Sequence, residues 1–292
     1  RHLAQEGAPS RAGSRRMCPG QPMASFFDKL IARVKAADSL LCVGLDPHRS
    51  ELQEDSAEGA LEFCRRLIEE TKEVAAAYKP NAAFFEAYGS PGAVALERVL
   101  ELIPKDIPVV LDAKRGDIGT TSEAYAQGAF STLGCDCVTV SPYLGGDGVQ
   151  PFLKDPARGV FILCKTSNPG SADIQTLDVP GVGKLYLHVA KLVCEVWAKE
   201  HQNAGLVVGA TDVEALGVVR AALPKVWFLS PGIGAQGGDL AAALDAGLDA
   251  DGMGMLLPIS RGISKAASPR EAAETFRRSI NARREARRAA RG

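Results

Sequence analysis

No run of 18 apolar residues occurs in the 292-residue chain, which excludes a membrane-spanning helix. Paired metal-ligand spacings are also missing. The seven cysteines (18, 42, 64, 135, 137, 164 and 194) form no CxxC motif. Cys135 and Cys137 have no His-rich partner segment, so no metal site is expected. Cys42, Cys137 and Cys164 lie inside apolar runs, where a thiol acts as a small hydrophobe, and reduced thiols in a cytosol-like compartment are the simplest account. No strong charge of one sign is present, the net being −1. The distribution is uneven: residues 1–22 are net +3 and residues 269–292 net +5, which leaves −9 on residues 23–268. An acidic body with basic ends excludes a nucleic-acid surface on the fold itself.

What is present is an ordinary globular composition, 46% hydrophobic and 24% charged. A chain of this length buries enough apolar surface to need no disulfides. Residues 1–22 are rich in Arg, Ser, Gly, Pro and Ala without periodicity, and disorder is expected there. The location expected is the cytoplasm, with an organelle transit remnant in residues 1–22 as the alternative. Met23 looks like a true beginning. Ser25 and Asp28 have capping-box spacing ahead of the helical stripe Phe27, Leu30, Ile31, Val34. The Arg-rich segment 269–292 reads as a solvated helix end or a linker.

Between these ends, eight short apolar runs have strand length. They are Leu40–Leu45, Ala75–Tyr78, Val109–Leu111, Cys137–Val140, Val160–Cys164, Leu206–Val208, Val226–Leu229 and the Gly-rich Gly252–Met255. Helix-period stripes alternate with them: Leu61, Cys64, Leu67, Ile68; then Leu96, Val99, Leu100, Ile103; then Leu187, Val189, Val193, Val196; then Val213, Leu216, Val219, Leu223. Strands alternating with helices imply a parallel sheet, and eight units in about 245 residues predict an α/β fold of the (β/α)₈ TIM-barrel type, a single domain over 23–268. A doubly wound open sheet is the runner-up. Polar residues arbitrate: nearly every run ends in them, from Asp46, Lys79 and Asn81 through Asp112, Lys114 and Asp117 to Ser141, Lys165–Asn168, Gly232, Gly234 and Arg261. Contributions from all strand ends imply one ring of loops, and the C-terminal rim of a barrel is where active sites lie.

Asp112 and Lys114 are two apart, so on a strand both face the barrel interior. Opposite charges there must be paired or used. Pro80 ends the second strand and leaves Lys79 at its tip, where a lone lysine would ordinarily snorkel to the surface.

The stretch Leu111-Asp-Ala-Lys-Arg-Gly-Asp-Ile-Gly-Thr-Thr121 closely resembles the Asp-x-Lys-x-x-Asp signature of the orotidine 5′-phosphate decarboxylase family. Val43–Pro47, Tyr78–Asn81, Lys165–Ser171, Ser230–Gly238 and Ser260–Ile263 resemble its bacterial-type branch, in the family's order over roughly 25–268. The resemblance implies a cofactor-free, metal-free, dimeric TIM barrel that removes CO₂ from C6 of orotidine 5′-phosphate and leaves uridine 5′-phosphate. By match, Lys114 is the proton donor to C6, Asp112 sits beside the substrate carboxylate, and Lys79 and Asp117 complete an alternating array. Asp117 and Thr121 would come from the neighbouring subunit of a homodimer, so each site is shared. Asp46 matches a ribose-hydroxyl position and Ser167 the position that reads the pyrimidine edge. Gly232, Gly234, Gln236 and Arg261 match the phosphate grip and its lid. The non-Met start and the Arg-rich end are the expected marks of a fragment of a longer product, fused to or associated with orotate phosphoribosyltransferase.

Three alternatives remain open on the residues. A magnesium-dependent sugar-phosphate lyase shares Asp-x-Lys-x-x-Asp, a Schiff-base aldolase would use Lys114 or Lys165, and a catalytically silent nucleotide-binding barrel would keep the cavity without the turnover.

Overall fold

The computed structural model describes residues 24–234 and 237–290. The expectations for residues 1–22, Cys18 and Gln236 lie outside them. The chain opens with α1 (Phe26–Ala37), started by the predicted capping box: Ser25 Oγ accepts from the Asp28 amide, and Asp28 accepts from the Ser25 amide at 2.9 Å. Then follow β1 (Leu41–Leu45), α2 (Ala57–Thr71), β2 (Ala77–Pro80), α3 (Ala82–Glu86), α4 (Gly89–Leu102) and β3 (Val110–Arg115). The middle of the chain forms α5 (Gly119–Gln127), β4 (Cys137–Val140), α6 (Gly146–Leu153) and β5 (Gly159–Lys165). A small antiparallel hairpin, β6 (Asp178–Val179) with β7 (Gly183–Lys184), leads into α7 (Leu185–Lys191). The chain continues through β8 (Ala204–Val208), α8 (Val213–Ala222), β9 (Phe228–Leu229), α9 (Leu240–Gly247), β10 (Met255–Ile259) and α10 (Arg261–Ser264) to the long α11 (Pro269–Ala289).

Eight of these strands form one parallel sheet in the order β2-β1-β10-β9-β8-β5-β4-β3. Parallel bridges Tyr78↔Val109 and Asn81↔Asp112 join the two ends, so the sheet closes into a barrel and the open-sheet alternative falls. Strands enclosed by helices are buried on both faces, and β1, β4, β8 and β10 are buried at every residue. Phe161 and Phe228 are fully buried; Phe26 and Phe27 pack edge-on against Phe161, and the Arg220 guanidinium of α8 lies over the Phe228 ring. Cys42, Cys64, Cys135, Cys137 and Cys164 are buried free thiols. Burial above all, with the Lys79 charge opposing and the Asp46 and Asp112 charges adding, pushes the Cys42 thiol up to about 12, which makes it unreactive. No helix among the described residues is long and apolar enough to cross a membrane.

Several predicted boundaries move. The eighth strand is Met255–Ile259, not Gly252–Met255: Gly252 and Gly254 have positive φ and form the turn before it. Pro258 sits inside that strand opposite Cys42, and a proline in a run reads as a break. Pro80 likewise closes β2 from within, paired with Leu45. The third helical stripe is rotated: Tyr186, Ala190 and Val193 are buried while Val196 is exposed, because the helix widens to a π-turn over Leu192–Trp197. In α8, Leu216 and Val219 reach the core but Val213 is exposed at its first turn.

The Arg-rich end is a helix that packs on α2, α9, α10 and β1. It is not wholly solvated. Arg284 is buried, donating to the Gly252 carbonyl at 3.0 Å and to Asp38 at 3.1 Å.

Candidate active site

A cavity of about 620 Å³ opens at the C-terminal ends of the strands. Its wall includes Asp46 after β1, Lys79 on β2, Asp112 and Lys114 on β3, Ser167 after β5, Gly232 after β9 and Arg261 after β10. Sequence positions up to 215 residues apart thus converge because a closed parallel barrel brings every strand's C-terminus to one rim. A groove of about 710 Å³ lies at the other end, near the starts of β8 and β9, and holds none of these residues.

Asp112 is the hub. Its Oδ2 accepts from Lys79 Nζ at 2.7 Å, and its Oδ1 accepts from Lys114 Nζ and, at 3.2 Å, from Thr139 Oγ1. The side chains of Lys79 and Asp112 are 8% and 12% exposed, whereas Lys114 is 51% exposed, so the array runs from a buried base to a lysine that reaches the open cavity. Lys79 therefore does not snorkel. Burial opposes its charge, but the Asp46 and Asp112 carboxylates outweigh that and hold it above the ordinary lysine value. Burial also opposes the charge on Asp112, and Lys79 and Lys114 hold its carboxyl below the usual carboxylate range. Asp46 Oδ1 is buried with no hydrogen-bond partner among the described residues; Lys79 Nζ is 3.9 Å away.

The geometry around Lys114 differs from simple strand alternation. The register between β3 and β4 shifts between Leu111 and Arg115, and Lys114 has φ of 47°. Thr139 on β4 holds this irregular turn: its Oγ1 accepts from the Ala113 and Lys114 amides at 3.0 and 2.9 Å. Asp112 and Lys114 meet because the strand is bulged and clamped there.

Asp117, Thr121 and Gly234 do not line this cavity. Asp117 lies on the loop after β3 and accepts from the Ile118 amide, and Thr121 is exposed in the first turn of α5. The sequence reading also missed cavity residues. His48 and Phe84 meet edge-on at 4.5 Å, Gln175 closes one wall, and Thr139 stands behind Asp112. Gly44 carried a signal, since glycine inside a strand marks close approach: a Cβ there would come within 2.8 Å of the Ser260 Cβ. Lys165 is not in the cavity wall; its ammonium lies near Ser171 and Asp212.

Fold and site define a (β/α)₈-barrel enzyme with an ion-paired lysine–aspartate centre at the strand C-termini. The family model described as Orotidine 5′-phosphate decarboxylase / HUMPS family matches residues 39–276, and the chain belongs to that family. An orotidine 5′-phosphate decarboxylase of Roseiflexus castenholzii is 46% identical over 268 residues, covering 88% of this chain and 98% of that protein. The Leishmania donovani OMP decarboxylase structure is 54% identical with a TM-score of 0.82, covering 89% of this chain and 99% of that one. The structure of Leishmania donovani UMP synthase is 55% identical with a TM-score of 0.85; the match covers 90% of this chain and 57% of that one. The reaction is accordingly the decarboxylation of orotidine 5′-phosphate to uridine 5′-phosphate in de novo pyrimidine synthesis, and the enzyme class is carboxy-lyase.

Proposed function

We propose that Lys114 delivers the proton to C6 as CO₂ leaves, with Asp112, Lys79 and Asp117 as the supporting charges. The observation that carries this reading is the gradient of burial along Lys79–Asp112–Lys114, which leaves one ammonium facing the cavity from a buried, paired base. The electrons released at C6 lie in the ring plane and cannot spread into the π system. Fixed electrostatics must therefore stabilise them, and a preorganised cation does so without reorganising. The same ammonium is the acid. Asp112 faces the substrate carboxylate, so like charges disfavour the ground state while the lysines hold Asp112 ionised.

Arg261 offers a planar fork to the 5′-phosphate, and Gly232 brings backbone close to it without a side chain in the way. By the family resemblance Gly234 offers a further backbone N–H to the phosphate, and Gln236 is the lid contact. Asp46, with a buried acceptor that has no hydrogen-bond partner among the described residues, takes a ribose hydroxyl, and Ser167 reads the pyrimidine edge. Distant phosphate binding energy then serves to organise the array.

Asp117 and Thr121 act in the site of a second copy. Their position outside this chain's own cavity supports that reading, as do the exposed apolar Ile118, Tyr143 and Leu144 beside them. Gly148 packs against both the Asp117 carbonyl and Leu144, which joins the two loops into one patch. The similarity to a UMP synthase supports association with orotate phosphoribosyltransferase.

The test is the loss of orotidylate absorbance with EDTA present. Wild type should turn over rapidly, and Lys114→Ala should lose at least about 10²-fold in kcat, the lower range for removing a positioned acid. Equal rates for the two proteins, or no turnover by folded wild type, would overturn the assignment.

A further inference from the structure

Lys165 is a buried lysine outside the array just described, at the last residue of β5. We propose that it is a positioning residue for the substrate's base: it ties the 166–175 wall of the cavity to the loop between β8 and α8, without touching substrate. This rests on the reading that the wall around Ser167 faces the pyrimidine.

The ammonium has three donors, and three acceptors surround it. Asp212 Oδ2 lies at 3.1 Å, Ser171 Oγ at 2.8 Å and the Thr166 carbonyl at 3.3 Å. Ser171 and Thr166 belong to the cavity wall; Lys165 stands behind it. Asp212 is itself anchored, because its Oδ1 caps α8 by accepting from the Ala215 amide at 3.0 Å. One carboxylate thus fixes a helix start with one oxygen and the wall's lysine with the other.

The backbone repeats the connection. The Gly209 amide donates to the Lys165 carbonyl at 2.8 Å, and a Cβ on Gly209 would sit 3.0–3.1 Å from Ser167 atoms, so the end of β8 presses directly on Ser167. Between β5 and β8 the register shifts between Leu163 and Lys165, a bulge of the kind that re-aims a side chain. The wall is closed on itself at its far end. Gln175 Oε1 accepts from the Thr166 amide at 2.8 Å, and the Gln175 amide donates to the Ser171 carbonyl at 2.8 Å.

Replacing Lys165 by methionine keeps the apolar stem and removes every donor. Thr166 and Ser171 are then untied from Asp212, while the array on β2 and β3 is untouched. The loss falls on binding equally in ground and transition states, which raises KM and spares kcat.

The experiment compares wild type with Lys165→Met, Lys165→Arg, Asp212→Asn and Ser167→Ala. It measures kcat and KM for orotidine 5′-phosphate, and Kd for uridine 5′-phosphate and for ribose 5-phosphate. Lys165→Met should raise KM about tenfold or more, the scale of a lost charged hydrogen bond, with kcat within about threefold. Affinity for uridine 5′-phosphate should fall by the same factor, while ribose 5-phosphate, which lacks the base, binds as before. Lys165→Arg should recover most of the loss, and Asp212→Asn should raise KM in the same direction.

An unchanged KM in folded Lys165→Met, with only a lowered Tm, overturns the proposal; so does a large fall in kcat at constant KM. Equal weakening of ribose 5-phosphate also overturns it. If Lys165→Met does not fold, an unchanged KM in Asp212→Asn has the same force. Ser167→Ala separates the two readings. If it binds uridine 5′-phosphate normally while Lys165→Met does not, the role of Ser167 fails and the positioning stands; the reverse result sinks the positioning alone.

Discussion

Lys114 holds its backbone in the left-handed region, which costs a non-glycine residue about 1 kcal/mol. Thr139 offsets that cost by accepting two successive amides and by donating to Asp112. Thr139→Val keeps the shape and strands two partly buried donors, at about 1–3 kcal/mol. The expected outcome is a fall in kcat of about tenfold or more with the fold retained by circular dichroism; an unchanged kcat would mean that the ion pairs alone hold Lys114. The titration of the array has a definite sign. The Asp112 carboxyl is held below its ordinary value of 3.8, so its contribution to stability is fully present above that pH and fades as pH falls toward the folded value. Lys79 is held above its ordinary 10.5, so its contribution is complete below that pH and is lost only at higher alkalinity. Between roughly pH 5 and 9 both contributions are flat. The difference in urea midpoint between wild type and Asp112→Asn should be constant from pH 5 to 7 and narrow toward pH 3. A difference that stays level to pH 3 would show that Asp112 is not held low.

α11 shows how an element can be misjudged from charge alone. Eight arginines in 24 residues read as a solvated run, yet several of them serve the barrel. Arg277 donates to the Ala37 carbonyl, Arg284 to Gly252 and Asp38, Arg287 to Leu248 and Arg288 to Asp251. The backbone carbonyls among these acceptors lie at the ends of α1 and α9 and in the turn before β10, and helix ends leave backbone acceptors that need partners. Ala273 and Ile280 give the helix its buried apolar face. Arg284→Ala should destabilise by about 2 kcal/mol, the scale of losing charged hydrogen bonds to the Gly252 carbonyl and the Asp38 carboxylate. That corresponds to a fall in Tm of roughly 4–8 °C for a chain of this size, with KM for orotidine 5′-phosphate unchanged. A Tm within a degree of wild type would return α11 to the role of a solvated appendage.

At the scale of the whole molecule, the shared-site reading predicts complementation. Lys114→Ala and Asp117→Ala should each be nearly inactive alone. Mixed and allowed to exchange subunits, they should regain about a quarter of wild-type activity, since half the dimers are mixed and each mixed dimer has one intact site. No recovery, with exchange demonstrated by a mass tag, would place Asp117 in its own chain's chemistry or outside the chemistry altogether. The sequence by itself determined the alternation of strands and helices, the rim polarity after each strand and the Asp112–Lys114 spacing, because apolar periodicity and strand-end charges are local patterns. It could not determine that Pro258 lies inside a strand, since that depends on β1 and β9 holding Met255–Ile259 in register from either side. Only the tertiary structure decided that Thr139 clamps the Lys114 turn, that Lys165 stands behind the wall and that Arg284 is buried. Each of those facts depends on residues 25 or more positions apart meeting across the closed sheet or against its outer helices, and no local pattern encodes such a meeting.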